Sequence, residues 1–226
     1  CYAIRSVYLS LAITLKHYLS GFTLVEMAVV LIIMGFIIGA LVTPLTAQVE
    51  QSRLSEANKD LSEIKEALLG YLIVNGFLPC PDTSGDGVDD GCVNTNSTAS
   101  TGGNLPWSTL SLKSNDPWGK PYQYRINNAF TAPFNLNTTG TGAGIIKICT
   151  NNACTNTESA NVPLIVFSFG KNGATQPPVD LDEKENADGD GVFVKHDFVQ
   201  NGFDDVLMWL STNVLMNRMV TTGRLP

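Results

Sequence analysis

Histidine is almost absent from the chain, with two in 226 residues, and only His196 follows residue 21. No His-Glu-x-x-His run is present to bind zinc, and Ser168 lacks the glycine-flanked turn of a hydrolase nucleophile. No catalytic constellation is assembled, so an enzyme is not expected, and His196 reads as an exposed strand residue rather than a general base. Glycine-rich runs are short. The GTGAG stretch at 140–144 lies far from any helix start and reads as a hairpin turn, not a phosphate loop. Positive charge is scarce: 14 basic residues face 21 acidic ones, for a net charge of −7. That balance leaves no electrostatic footprint for nucleic acid. Long apolar runs are missing but for one, which excludes a polytopic membrane protein. At 44% hydrophobic, the chain has room for one membrane helix and one globular domain.

The one long run is GFTLVEMAVVLIIMGFIIGALV, Gly21 to Val42. At about 1.5 Å per residue, a helix over 22–42 reaches roughly 30 Å, the thickness of a bilayer's hydrocarbon core. Glu26 is its only ionisable group, and a carboxylate at depth costs at least ~2.5 kcal/mol unless it finds a partner. Arg5 and Lys16 precede the run without any acid beside them, which places the amino end in the cytoplasm and the body across the membrane.

Gly21, Phe22, Thr23, Leu24, Val25 and Glu26, abutting this run, resemble the processing site of type IV prepilins and type II secretion pseudopilins. The resemblance implies a leader over 1–21, cleaved after Gly21 by a prepilin peptidase, with Phe22 becoming an N-methylated terminus. It also implies assembly on an inner-membrane platform into a filament where Glu26 meets the amino group of a neighbouring Phe22. An ammonium and a carboxylate buried together offset each other's desolvation, whereas either alone is strongly destabilising. No methionine precedes Met27, and residues 3–15 are more apolar than the family's short leader, so this region reads as a non-standard leader or a frame reading.

Two further stretches resemble the major pseudopilin class: Asp116-Pro117-Trp118-Gly119 leading into Pro121-Tyr122-Gln123-Tyr124, and Phe167 to Gly173 with the later Phe203-Asp204-Asp205. In that class the second region holds calcium between an early turn and a late acidic pair. Carried over, Asp204 and Asp205 are ligands with backbone oxygens near 170–173. The insert is longer here, so Asp180, Asp182, Asp188 and Asp190 are candidates to replace or add ligands. The competing account has Asp204 and Asp205 capping a turn.

Past the run, Pro44 should kink the helix. Leu54, Ala57, Leu61, Ile64, Leu68 and Tyr71 then recur at alternating spacings of three and four, an apolar stripe for covering a sheet. Asn75-Gly76 ends it. From 79 to 103 the composition turns to Asp, Gly, Ser, Thr and Asn, a loop unable to bury a core. Asp82, Ser84 and Asp86 alternate there ahead of Gly87, as in a loop that wraps calcium. Position twelve is Val93 rather than Glu, so Asp89 or Asp90 would close the site. The bland reading is a solvated acidic turn.

With Cys1 in the leader, four cysteines remain and allow three connectivities. Pairing neighbours, Cys80–Cys92 and Cys149–Cys154, is favoured over the other pairings and over a zinc site, which prefers two-residue spacings. Tyr122 and Tyr124 share one strand face, 145–148 and 162–169 are strands, the second of them central, and 206–210 is the last strand before a helical end. Trp107, Trp118 and the tyrosines read as core and turn packing rather than a ligand platform.

The expected fold is α+β: a long N-terminal helix, transmembrane over 22–43 and amphipathic over 44–76, packed on a small antiparallel sheet. The globular part covers 77–226, with disulfide- and calcium-held loops at 79–103 and 170–205, as in the type IV pilin fold. The expected function is a structural subunit, a minor or low-abundance pilin or pseudopilin, of a type IV pilus or type II secretion pseudopilus. Before assembly it would sit in the inner membrane, and afterwards in a periplasmic or extracellular filament beside other such subunits. The alternative is a membrane-anchored periplasmic, calcium-dependent binding module that does not polymerise.

Overall fold

The computed structural model describes residues 21–92, 100–138, 145–173, 180–199 and 202–225, leaving aside the side chains of 40–46. The chain divides into two compact units, Cys1–Gln48 and Val49–Pro226. Helix α1 spans Leu24–Asn75, 52 residues. Its start is a reciprocal cap. The Glu26 carboxylate accepts from the amide and hydroxyl of Thr23, and the Thr23 hydroxyl accepts from the Glu26 amide. Its end is the expected Asn75-Gly76 pair, where Gly76 adopts a φ of 81° and its amide closes on the Leu72 carbonyl at 2.8 Å. Among the described residues no helix is long and apolar enough to cross a membrane. The last residues of the apolar run and the expected kink at Pro44 fall among side chains outside the description, as do the GTGAG turn and residues 93–99.

In the second unit, strands β1 (Ser100–Asn104), β2 (Gln123–Asn127), β5 (Leu164–Ser168) and β7 (Val206–Leu210) form an antiparallel sheet in the order β1-β2-β5-β7. Strands β3 (Ile146–Cys149), β4 (Thr157–Val162) and β6 (Val192–Val194) form a second sheet, ordered β4-β3-β6, in which β3 and β6 run parallel. Helices α2 (Leu181–Ala187) and α3 (Thr212–Thr221) complete the unit.

The α1 stripe covers a sheet as far as Leu68, after which Leu72 rather than the expected Tyr71 turns into the core and Tyr71 is left half-buried. Leu54, Ala57, Leu61, Ile64, Leu68 and Leu72 form one core with Tyr122, Tyr124, Ile126, Leu164, Val166 and Leu210. At about 1.5–3 kcal/mol per large aliphatic side chain, this face is the main source of the unit's stability. Strand β5 explains its own sequence: Leu164 and Val166 face α1, while Ile165 and Phe167 join Ile146, Ile148, Phe193 and Phe203 in a second core. Buried on both faces, it is apolar throughout, as expected of a central strand. Polar groups in the first core are paired: the Tyr122 hydroxyl donates to Asp60 of α1 at 2.8 Å, Lys113 pairs with the same carboxylate at 2.5 Å, and the Tyr124 hydroxyl donates to the Pro79 carbonyl at 2.9 Å.

Four expectations are corrected. The loop assigned to 170–205 carries helix α2 and strand β6, each held by partners distant in sequence. The single small antiparallel sheet is two sheets, one holding a parallel pair. The loop assigned to 79–103 ends in β1, whose Ser-Thr-Gly-Gly-Asn pairs residue for residue with β2. Gly103 is fixed there by closeness: a Cβ would meet the Asp82 carbonyl at 2.8 Å. His196 is neither in a strand nor exposed, for its ring centroid lies 3.8 Å from that of Phe203, the planes tilted by 37°, and its Nε2 lies 3.1 Å from Asp182. Both disulfides form as favoured, Cys80–Cys92 and Cys149–Cys154.

Asp60→Ala leaves the Tyr122 hydroxyl buried without an acceptor, a cost of about 2 kcal/mol. Thermal unfolding of the full chain in detergent should show a melting temperature lower by roughly 5 °C.

Candidate functional site

Three places carry the candidate residues. At the amino end, Gly21, Phe22 and Thr23 precede the helix in exposed, irregular backbone, with Phe22 81% exposed. A peptide bond there is open to a protease. Glu26 lies in the first turn, where its charge also suits the positive end of the helix. Its partner within the chain is Thr23, a contact the sequence shows as Thr-x-x-Glu.

In the early acidic loop, Asp82, Asp86 and Asp90 bring one oxygen each within 4.8 Å of one another. Their oxygens are taken up by the loop's own groups. Asp82 accepts from the amides of Gly85 and Gly87 at 2.6 and 2.8 Å and from the Ser84 hydroxyl. Asp90 accepts from the amides of Thr83 and Ser84 and from the Thr83 hydroxyl. Asp86 accepts from Val88, and Asp89 accepts from Cys80 and Gly91. Trp107 packs closely against Gly87, where a Cβ would fall 2.2 Å from its ring, so this tryptophan is packing.

The late loop is built from the aromatic turn upward. Asp116 accepts from the amides of Trp118 and Lys120 and from the buried Ser168 hydroxyl, tying the turn to the end of β5. Trp118 donates to Glu50 of α1 at 2.9 Å. Lys120 then reaches the carbonyls of Gly170 and Lys171 at 3.2 and 3.1 Å, the oxygens expected to face an ion. Asp204 and Asp205, just before β7, are both buried at 8% exposure. The third carboxylate beside them is Glu183 of α2, 3% exposed, which sequence reasoning missed. One oxygen from each of the three lies within 4.8 Å of the others. Glu183 accepts from the Asp204 amide at 2.8 Å and from the Asn172 side chain at 2.7 Å, and Asn186 donates to Asp205 at 2.7 Å. Among the described residues, Asp204 Oδ1 is buried with no hydrogen-bond partner.

The other insert acids go elsewhere. Asp188 and Asp190 cluster with Glu185, bond the amides of Asp190 and Val192, and lie near the Arg125 guanidinium, which itself reaches the Gly189 carbonyl. Asp180 caps α2, and Asp182 meets His196 and the Asn152 amide. A helical spacing of three, which sets Glu183 and Asn186 on one face, was the signal available in the sequence.

Burial pushes the Asp204 carboxyl up to about 6; the Asn172 amide draws it back and the Glu183 charge adds to the rise. Burial likewise raises Asp205, against the pull of Asn186. A carboxyl that holds its proton more firmly folded than unfolded makes the fold lose stability as pH rises through the interval between the two values. In metal-free buffer the melting temperature of the wild-type chain should therefore fall between pH 4 and 6. The Asp204→Asn variant should show a shallower fall over the same range.

Comparisons with known proteins give two matches. The family described as type II secretion system (T2SS), protein G, matches residues 44–144. The type II secretion system core protein G of Pseudomonas aeruginosa is 29% identical over 126 residues, covering 54% of this chain and 82% of that protein. No solved structure matches. These matches fall on the stretch that holds the Asp-Pro-Trp-Gly turn and the α1-on-sheet core, and over it the chain is similar to protein G of type II secretion systems.

Proposed function

We propose that the protein is a structural subunit of a type II secretion pseudopilus, assembled through its N-terminal helix beside other pseudopilins. The observation that carries this reading is the match to protein G over 44–144, which includes the aromatic turn docked on α1. The family is structural, and the chain's role is taken to be structural rather than catalytic. The non-polymerising anchored module finds no support in either match. The chain's long stretches between α1 and β1 and between β5 and β7 are the ground for reading it as a minor or low-abundance member.

In this reading a prepilin peptidase cleaves after Gly21 and Phe22 becomes the methylated amino terminus. The apolar segment from Phe22 holds the subunit in the inner membrane until an assembly platform draws it into a periplasmic filament. Nearly every residue from Phe22 to Ile38 that is large and apolar is exposed in the single chain, a surface that needs lipid or sister helices around it. Glu26 would exchange its Thr23 cap for the Phe22 amine of a neighbour.

Calcium belongs to the same proposal. Glu183, Asp204 and Asp205 form an all-oxygen, acidic, buried set, and Asp204 Oδ1 lacks a partner among the described residues, so the residues fit a hard cation. Asp204 and Asp205 would hold it, and the ion would supply counter-charge that stabilises a polar loop. The Asp82, Asp86 and Asp90 loop, already closed by its own amides, has less need of one.

The test of assembly is Glu26→Ala. Leaving an ammonium buried without its carboxylate costs about 3 kcal/mol or more. Recovery in sheared filaments should thus drop by at least roughly a hundredfold, with the membrane-fraction amount unchanged. Equal recovery of variant and wild type would favour a simple anchor.

A further inference from the structure

We propose that Glu183, carried on α2, is the third carboxylate of the calcium site, so that metal binding by Glu183, Asp204 and Asp205 docks the α2 segment onto the body of the domain. The inference rests on the calcium reading above and concerns residues of this chain's own insert.

The three carboxylates arrive from separate parts of the chain: Glu183 from α2, and Asp204 and Asp205 from the approach to β7, 21 residues further on. Formal charge of one sign is thus gathered where water is excluded. Such a group is strongly unfavourable unless a cation or protons neutralise it. The Lys120 ammonium does not serve, because it is bound to the Gly170 and Lys171 carbonyls. That engagement also takes up two backbone oxygens otherwise able to face an ion, which raises the demand on side-chain donors. Glu183 meets it. Its oxygens are oriented by the Asp204 amide and by Asn172, and the neutral amides of Asn172 and Asn186 position the set without cancelling its charge. The unpartnered Asp204 Oδ1, on a side chain more than nine-tenths buried, is the observation that turns an acidic cluster into a site awaiting a ligand.

The mechanical consequence follows from α2's other ties. Asn186 pairs with the Val194 backbone at 2.7 and 3.1 Å, and Asp182 meets His196 and the Asn152 amide. Asn186 is a neutral buried tie. Glu183 adds a second, to the Asp204 amide and Asn172, and without a cation its charge is opposed by Asp204 and Asp205. Lys184, the next residue, is exposed and offers a tryptic site that reports the docking.

The experiment uses the full chain in detergent, stripped with chelator and titrated with calcium chloride, following melting temperature and the rate of trypsin cleavage after Lys184. The wild type should bind calcium, melt higher and be cut at least several-fold more slowly. Glu183→Gln keeps the shape and removes one charge. It should bind roughly tenfold more weakly, since affinity follows ligand charge, and in chelator it should melt at or above the wild type because a buried like charge is gone. A merely structural glutamate would instead lower the chelator melting temperature. Glu185→Gln, one turn face away, should keep the wild-type response. If the wild type shows no calcium response, the calcium reading itself falls. If the wild type responds and Glu183→Gln responds equally, or cleavage after Lys184 ignores calcium, this inference alone is overturned.

Discussion

The face of α1 from Leu54 to Leu72 must be covered, and the sheet β1-β2-β5-β7 covers it. Most else in the second unit follows from that constraint. A sheet apolar on the α1 side only would leave β5 half wet; instead its other face is closed by β3 and β6, which makes β5 the floor of two cores. The Asp60–Tyr122 hydrogen bond then fixes rotation and register of the helix on the sheet, where apolar contacts alone would let it slide. Trp118 on Glu50 adds a second such pin nearer the unit's start.

Away from these cores, the chain is held by polar chemistry. The segment from Pro79 to Cys92 has little to bury, and it is ordered by one disulfide and by carboxylates turned onto backbone amides. Three cations are placed at junctions: Lys113 between α1 and the aromatic turn, Lys120 between that turn and residues 170–171, Arg125 between β2 and the Gly189 carbonyl. With acids in excess, one group is left over. Glu183, Asp204 and Asp205 are buried together without a basic side chain bonded to them among the described residues.

How much of this was legible differs by element. The end of α1 at Asn75, the buried Tyr122 and Tyr124 pair, β7 at 206–210 and both disulfides could be read, because each rests on local periodicity, a glycine or close sequence spacing. Strand β1 could not. Ser-Thr-Gly-Gly-Asn has weak strand propensity, and β2 imposes its conformation through pairing. Strand β6 is three residues long and pairs in parallel with a strand more than forty positions away, beyond any local signal. At the site, Asp204 and Asp205 were visible through resemblance, but Glu183 was hidden among five other acids between 180 and 190, and only the helix decides which of them turns inward.

The account's central claim is that this chain is a processed pilin-like subunit, its amino terminus made at Phe22 and its helix exchanged from lipid into a filament. Intact-mass spectrometry of the protein from membranes and filaments of cells that possess the prepilin peptidase tests it most directly. The account predicts a single mature species beginning at Phe22 and carrying one added methyl group. A species that retains residues before Phe22 in those cells would contradict it.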